Sequence, residues 1–169
     1  MAKKKKDTKQ KSKPKLTRKS AVIPYRFKND VLQFLLITPK IKDGKPLRET
    51  QWMVPKGTIK AGIRPAESAR IEALEEAGVL GDVLSGFKGF YNYETKNNKV
   101  QKIYTYFMKV TYTMKNWGEK GQRRRKWVAF ENIREYLNEP GLIGIIETNE
   151  RKLRRTQLWE RARKILFSS

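Results

Sequence analysis

The sequence predicts an α/β fold of the α+β kind, and three observations carry that expectation. Two pairs of β-branched and aromatic runs, residues 21–27 with 31–38 and residues 83–93 with 100–113, each bracket a short polar turn and read as hairpins. Between them a loop bounded by glycines leads into a segment of helical composition over 66–77. The chain closes with Leu153, Leu158, Ala162, Ile165 and Leu166 at helical spacing in an otherwise basic segment over 149–167.

Each element has a local cause. The first hairpin turns at K-N-D, and residues 39–50, P-K-I-K-D-G-K-P-L-R-E-T, form a turn-rich loop. A short strand is expected over 52–54, ended by Pro55, which delivers the chain into Lys56 and Gly57. Pro65 suits the first turn of a helix and Gly78 sits where a helix stops, which bounds the helix at 66–77. The second hairpin closes through E-T-K-N-N-K. Residues 115–126, K-N-W-G-E-K-G-Q-R-R-R-K, read as a loop leading to a strand at 127–130, and 131–137 as a short helix that Pro140 and Gly141 break. The closing apolar stripe is expected to pack into the core rather than face a membrane or a partner.

Composition narrows the function. At 169 residues and 38% hydrophobic content the chain can bury one ordinary core. No apolar run approaches a membrane span and no signal-peptide pattern opens the chain, so a cytoplasmic protein without membrane contact is expected. With no cysteine and no histidine, disulfides, thiol nucleophiles, imidazole bases and the usual zinc sites are excluded. Any catalysis must rest on carboxylates, Lys, Tyr or a metal ion. The net charge is +22, and residues 1–19 hold ten basic residues against Asp7, leaving about +13 for the rest. Residues 1–19 therefore read as a disordered Lys-rich tail with non-specific nucleic-acid contact as its expected role, and residues 20–169 as the folded domain.

Acidic residues are scarce, 17 against 39 Lys and Arg, yet Glu72, Glu75 and Glu76 fall within five positions of one helix. Spacings of three and four residues place all three on neighbouring parts of one face, where they repel unless a cation lies between them. An acidic cluster on a surface helix is ordinarily a solvated face. Here its concentration in so basic a chain points instead to hard oxygen ligands for Mg²⁺ or Mn²⁺.

The loop and helix together, G-T-I-K-A-G-I-R-P-A-E-S-A-R-I-E-A-L-E-E-A-G-V over 57–79, resemble the signature of the Nudix hydrolases, G-x5-E-x7-R-E-U-x-E-E-x-G-U. The alignment starts at Gly57 and ends on Glu72, Glu75, Glu76, Gly78 and Val79. A-V-I-P-Y-R at 21–26, W-M-V-P-K-G at 52–57 and W-G-E-K-G-Q-R-R-R-K-W at 117–127 are similar to bacterial members that resemble diphosphoinositol polyphosphate phosphohydrolases. This resemblance implies an α/β/α sandwich with a mixed central sheet and a catalytic loop-helix-loop. It also implies metal ligation by Glu72, Glu75, Glu76 and the Gly57 carbonyl, and water attack on phosphorus. A general base is implied among the signature glutamates or on a later loop, where Glu119 is the candidate.

Two positions depart from the signature. Ile63 stands where the first Glu is expected, and Ile71 where an Arg orients the carboxylates. Isoleucine supplies neither charge nor hydrogen bond, and Arg70 points about 100° away round the helix. The basic surplus suits a phosphate-rich small-molecule substrate, with Arg26, Lys40, Lys56, Arg123, Arg124, Arg125 and Lys126 as candidate contacts. Tyr91, Tyr93 and Tyr104 can stack on a base, although strand aromatics are more often core. The leading expectation is a Mg²⁺-dependent pyrophosphohydrolase acting on a nucleoside-diphosphate-linked, diphosphoinositol or dinucleoside polyphosphate substrate. The alternatives are a catalytically impaired module that binds phosphates or RNA, and an RNA 5′-end pyrophosphohydrolase.

Overall fold

The computed structural model describes residues 17–41, 51–95 and 100–167. Its elements are β1 (Thr17–Lys28), β2 (Val31–Ile37), β3 (Lys56–Thr58), α1 (Pro65–Ala77), β4 (Val79–Glu94), β5 (Val100–Thr113) and β6 (Arg125–Ala129). A 3₁₀ turn (Phe130–Asn132), α2 (Ile133–Tyr136) and α3 (Pro140–Phe167) complete the chain. The six strands form one mixed sheet in the order β4-β5-β1-β2-β6, with β3 also pairing β1. The β1–β5 pair is parallel and the others are antiparallel.

Alternation along the strands builds the layers. Ala21, Ile23 and Tyr25 of β1 and Leu32, Phe34 and Leu36 of β2 face one side, where they meet Ile133, Leu142, Ile146 and Leu153. Val22, Leu35 and Ile37 face the other, against Ala69, Ala73 and Ala77 of α1. The alanine face lets α1 approach the sheet closely. The result is the expected α/β/α sandwich with both hairpins present. Asn29 and Asp30 turn the first hairpin at φ of 49° and 66°, a geometry these two residue types tolerate better than most.

The site depends on a change of partner along β1. Tyr25–Lys28 pair with β2, whereas Lys19–Ala21 pair with β3. Pro24 falls between these two ladders, on the edge to which the Val22 N–H also points, so its missing N–H removes no bond to β2 or β3. The Val22 N–H donates to the Pro55 carbonyl at 3.0 Å, which brings the following Lys56 and Gly57 into the sheet beside α1.

Several boundaries differ from expectation. β1 begins at Thr17, so residues 17–19 belong to a strand held by β5 and β3 rather than to a tail; residues 1–16 lie outside those described. Within 52–54 only Met53 bridges, to Ile37, and the strand forms instead at Lys56–Thr58. β4 starts at Val79, directly after Gly78 closes α1 in the left-handed conformation. Arg125 and Lys126, expected in a loop, are in β6. Most of the 39–50 and 94–99 loops lie outside the described residues.

The largest correction concerns α3. Pro140 starts it instead of breaking the preceding helix, because a first-turn residue needs no N–H donor. Gly141 allows its first turn to touch β4: a Cβ there would stand 2.7 Å from Tyr91 Cβ. Of the expected apolar stripe only Leu153 is buried, while Leu158, Ile165 and Leu166 are exposed.

Candidate active site

Gly57 and α1 create the centre of the site. A Cβ at position 57 would lie 1.7 Å from Glu72 Oε1 and 2.2 Å from its Cδ, so only glycine leaves room for that carboxylate against the β3 backbone. One turn later Glu76 is buried, and its Oε2 accepts from the Lys56 N–H at 2.9 Å. Glu75 lies exposed beside them. Burial, reinforced by the Glu76, Glu75 and Glu119 carboxylates, pushes the Glu72 carboxyl up to about 7. Burial also raises Glu76, opposed by Arg123 and the Lys56 amide.

Arg123 brings a guanidinium to the glutamate cluster from outside α1. Its guanidinium is nine-tenths buried and donates to Glu76 Oε1, to Glu119 Oε2 at 2.5 Å and to the Thr38 carbonyl at 2.9 Å. Glu119 therefore comes to the glutamate cluster from the 115–124 loop, tied also to Lys40 at 2.8 Å. Against the opposing effect of burial, the bonds from Lys40 and Arg123 hold Glu119 below the usual carboxylate range. Ile71 is half-buried and Arg70 exposed. Ile63 sits in the turn before α1, its N–H on the Lys60 carbonyl.

The other candidate cations separate into three groups. Lys56 stays beside Gly57, its ammonium 2.9 Å from Glu139 and over the Tyr93 ring. These groups line a cavity of about 410 Å³ with Trp52, Met53 and Lys19. Arg124, Arg125, Lys126, Trp52, Tyr136 and Thr38 line a second cavity of about 440 Å³, so Trp52 is a wall of both. Arg125 also serves the fold, since it donates to the Ala77, Gly78 and Met114 carbonyls and stacks on Trp117, closing the C-terminal end of α1. Arg26 is apart from these, bonded to Gln33 and stacked on Trp127.

Some of this architecture is invisible to motif reading. Glu139 joins Lys56 to the buried Tyr91 hydroxyl, 2.5 Å away, and no spacing in the sequence marks it. Tyr91 is thus a structural anchor and Tyr93 a cavity wall. Tyr104 meets Arg18 and Lys102 elsewhere. Trp117 donates from its indole to the Glu76 carbonyl at 3.2 Å, and its side chain covers Gly78.

A hard divalent cation fits this donor set. The ligand atoms that Glu72, Glu75, Glu76 and the Gly57 carbonyl offer are oxygens only, and burial together with the neighbouring carboxylates raises Glu72, an effect that a cation would oppose. Among the described residues no three acidic side chains stand in ligating geometry; Arg123 faces Glu76 instead.

Residues 15–148 match the NUDIX domain. Nudix hydrolase 4 of Arabidopsis thaliana is 30% identical over 122 residues, covering 67% of this chain and 55% of that protein. Diphosphoinositol polyphosphate phosphohydrolase 3-beta of Bos taurus is 30% identical over 89 residues, 52% of each chain. The chain thus spans about half the length of these relatives. The fold is similar to that of a C. elegans Ap4A hydrolase binary complex, with a TM-score of 0.68 at 17% identity over 82% of this chain and 98% of that one.

Proposed function

The chain belongs to the Nudix hydrolase family, and on that premise we propose that it is a Mg²⁺- or Mn²⁺-dependent pyrophosphohydrolase for a substrate carrying several phosphates, of the diphosphoinositol or dinucleoside polyphosphate class. The observation that carries the substrate class is the cavity in which Arg124 and Lys126 meet Trp52 and Tyr136. Two cationic side chains at one opening suit a substrate with several phosphates, and the aromatic walls suit an inositol or nucleoside face. The resemblance to a diphosphoinositol polyphosphate phosphohydrolase supports the same class.

Glu72 and Glu76, with Glu75 and the Gly57 carbonyl, would hold the metal. When bound, the ion supplies positive charge to the diphosphate oxygens and lowers the pKa of water. The protein's own residues do the rest. The Lys56 N–H fixes one oxygen of Glu76, and Arg123 fixes the other. Glu119, kept ionised by Lys40 and Arg123, would accept a proton from the attacking water. The Lys56 ammonium, beside Trp52, contacts a phosphate by exchanging its Glu139 partner for the more highly charged ligand. Binding without turnover is the reading that Ile63 and Ile71 favour; the guanidinium that Arg123 supplies to Glu76 argues for turnover.

Product formation with Mg²⁺ or Mn²⁺ should be measured by anion-exchange chromatography on inositol pyrophosphates, dinucleoside polyphosphates, nucleotide sugars, ADP-ribose and triphosphorylated RNA. Turnover is expected in the first two groups and abolished by Glu76→Gln. Hydrolysis unchanged in that variant would refute the site. Turnover confined to ADP-ribose or nucleotide sugars would refute the substrate class, and turnover confined to RNA would identify an RNA 5′-end pyrophosphohydrolase.

A further inference from the structure

The second half of α3 presents an apolar face away from the domain. Leu158, Trp159, Ile165, Leu166 and Phe167 are 64%, 68%, 79%, 73% and 77% exposed. At 100° per residue, Leu158, Trp159, Ala162, Ile165 and Leu166 fall within an arc of about 120°. Leu153, buried in the core, and Glu160, paired with Lys109 of β5, point to the opposite side of the helix. The exposed stripe is therefore not a core face left unpacked. The helix is anchored by one side and displays the other.

Charge selects what can cover it. Residues 150–167 contain seven Lys and Arg and two Glu, and both acids are already paired within the chain, Glu150 with Arg154 and Glu160 with Lys109. Arg151, Arg155 and Arg163 are exposed within or beside the stripe. A groove of about 290 Å³ is lined by Arg155, Leu158, Trp159 and Ala162, setting a guanidinium next to an apolar wall. A second copy of the chain would bring like charges together, and a nucleic acid would leave the apolar side chains uncovered. An anionic lipid bilayer satisfies both, with headgroup phosphates on the arginines and acyl chains against Leu, Ile and Trp. No helix among the described residues is long and apolar enough to cross a membrane.

We propose that residues 155–167 of α3 form an interfacial helix that docks this protein on anionic membrane surfaces. Docked this way, α1 lies on the face of the sheet opposite to α3.

The test is co-sedimentation of the full chain with vesicles of phosphatidylcholine alone and of phosphatidylcholine containing roughly 30% phosphatidylglycerol, at about 0.15 M salt. Binding is expected only to the anionic vesicles. The triple variant Leu158→Ser/Ile165→Ser/Leu166→Ser keeps every charge and should lower the partition coefficient at least about tenfold, because three apolar side chains no longer enter the bilayer. Lipids brominated along the acyl chain should quench the wild-type fluorescence in a component that Trp159→Phe removes, a readout independent of the triple variant's folding. Equal binding by the triple variant would assign attraction to charge alone and overturn the proposal. So would absence of wild-type binding, or a dimer in light scattering that the triple variant abolishes.

Discussion

Replacing Arg123 by Met tests whether a residue far from the signature has taken over the orienting role of the arginine that Ile71 lacks. Arg123 is 9% exposed and donates to Glu76, Glu119 and the Thr38 carbonyl. Methionine fills a similar volume but leaves Glu76, itself 8% exposed, with the Lys56 N–H and the more distant Lys56 ammonium to offset its charge. Removing one partner of a buried ion pair costs about 3–5 kcal/mol. For a domain of this size that is a drop in Tm of about 6–20 °C. The Glu76 carboxyl should also rise further, since Arg123 is the leading influence that lowers it. Thermal melts at pH 7 and metal titrations read the two effects. Saturating Mg²⁺ should recover part of the lost stability, because a divalent ion supplies the missing counter-charge. Adding Ile71→Arg should restore part of it in the absence of metal. A melting temperature within about 2 °C of wild type would refute the reasoning, since the pair would then be contributing less than about 1 kcal/mol.

Three further outcomes follow from the same geometry. Gly57→Ala should reduce hydrolysis by at least about a hundredfold with a small change in Tm, because the colliding atoms belong to the end of a flexible Glu72 side chain that must leave its position; unimpaired turnover would show that Glu72 is not needed there. The Glu72 carboxyl, raised from its ordinary 4.5 to about 7, binds more protons folded than unfolded, so its contribution to metal-free stability is present below about pH 4.5 and is lost as pH rises through about 7. Metal-free wild type should lose stability over that window relative to Glu72→Gln, and the stabilisation by Mg²⁺ should grow over the same window. Tyr91→Phe removes a buried hydroxyl bond to Glu139 and should lower stability by about 1.5–3 kcal/mol in denaturant unfolding, with the largest effect on KM through the released Lys56.

Local patterning is enough to specify the two hairpins, the loop and helix over 57–77 and the glutamate cluster, because these depend on periodicities, caps and turn residues that act over a few positions. Gly57, Pro65 and Gly78 are legible for that reason. Pro140 is ambiguous in the sequence because proline is both a helix breaker and a favoured first residue of a helix, and only the packing of Gly141 against Tyr91 decides between the two. The α3 stripe reads as core from its spacing because helical periodicity identifies an apolar face without saying what it meets. Tertiary packing turns that face outward and anchors the other through Leu153 and Glu160. It also brings Arg123 to Glu76 across 47 residues, divides the basic residues between two cavities and the end of α1, and places Glu139 under Lys56. Such pairings depend on which strands become neighbours. The change of partner along β1, from β2 to β3, carries Lys56 and Gly57 to the glutamates, and no local pattern encodes that meeting.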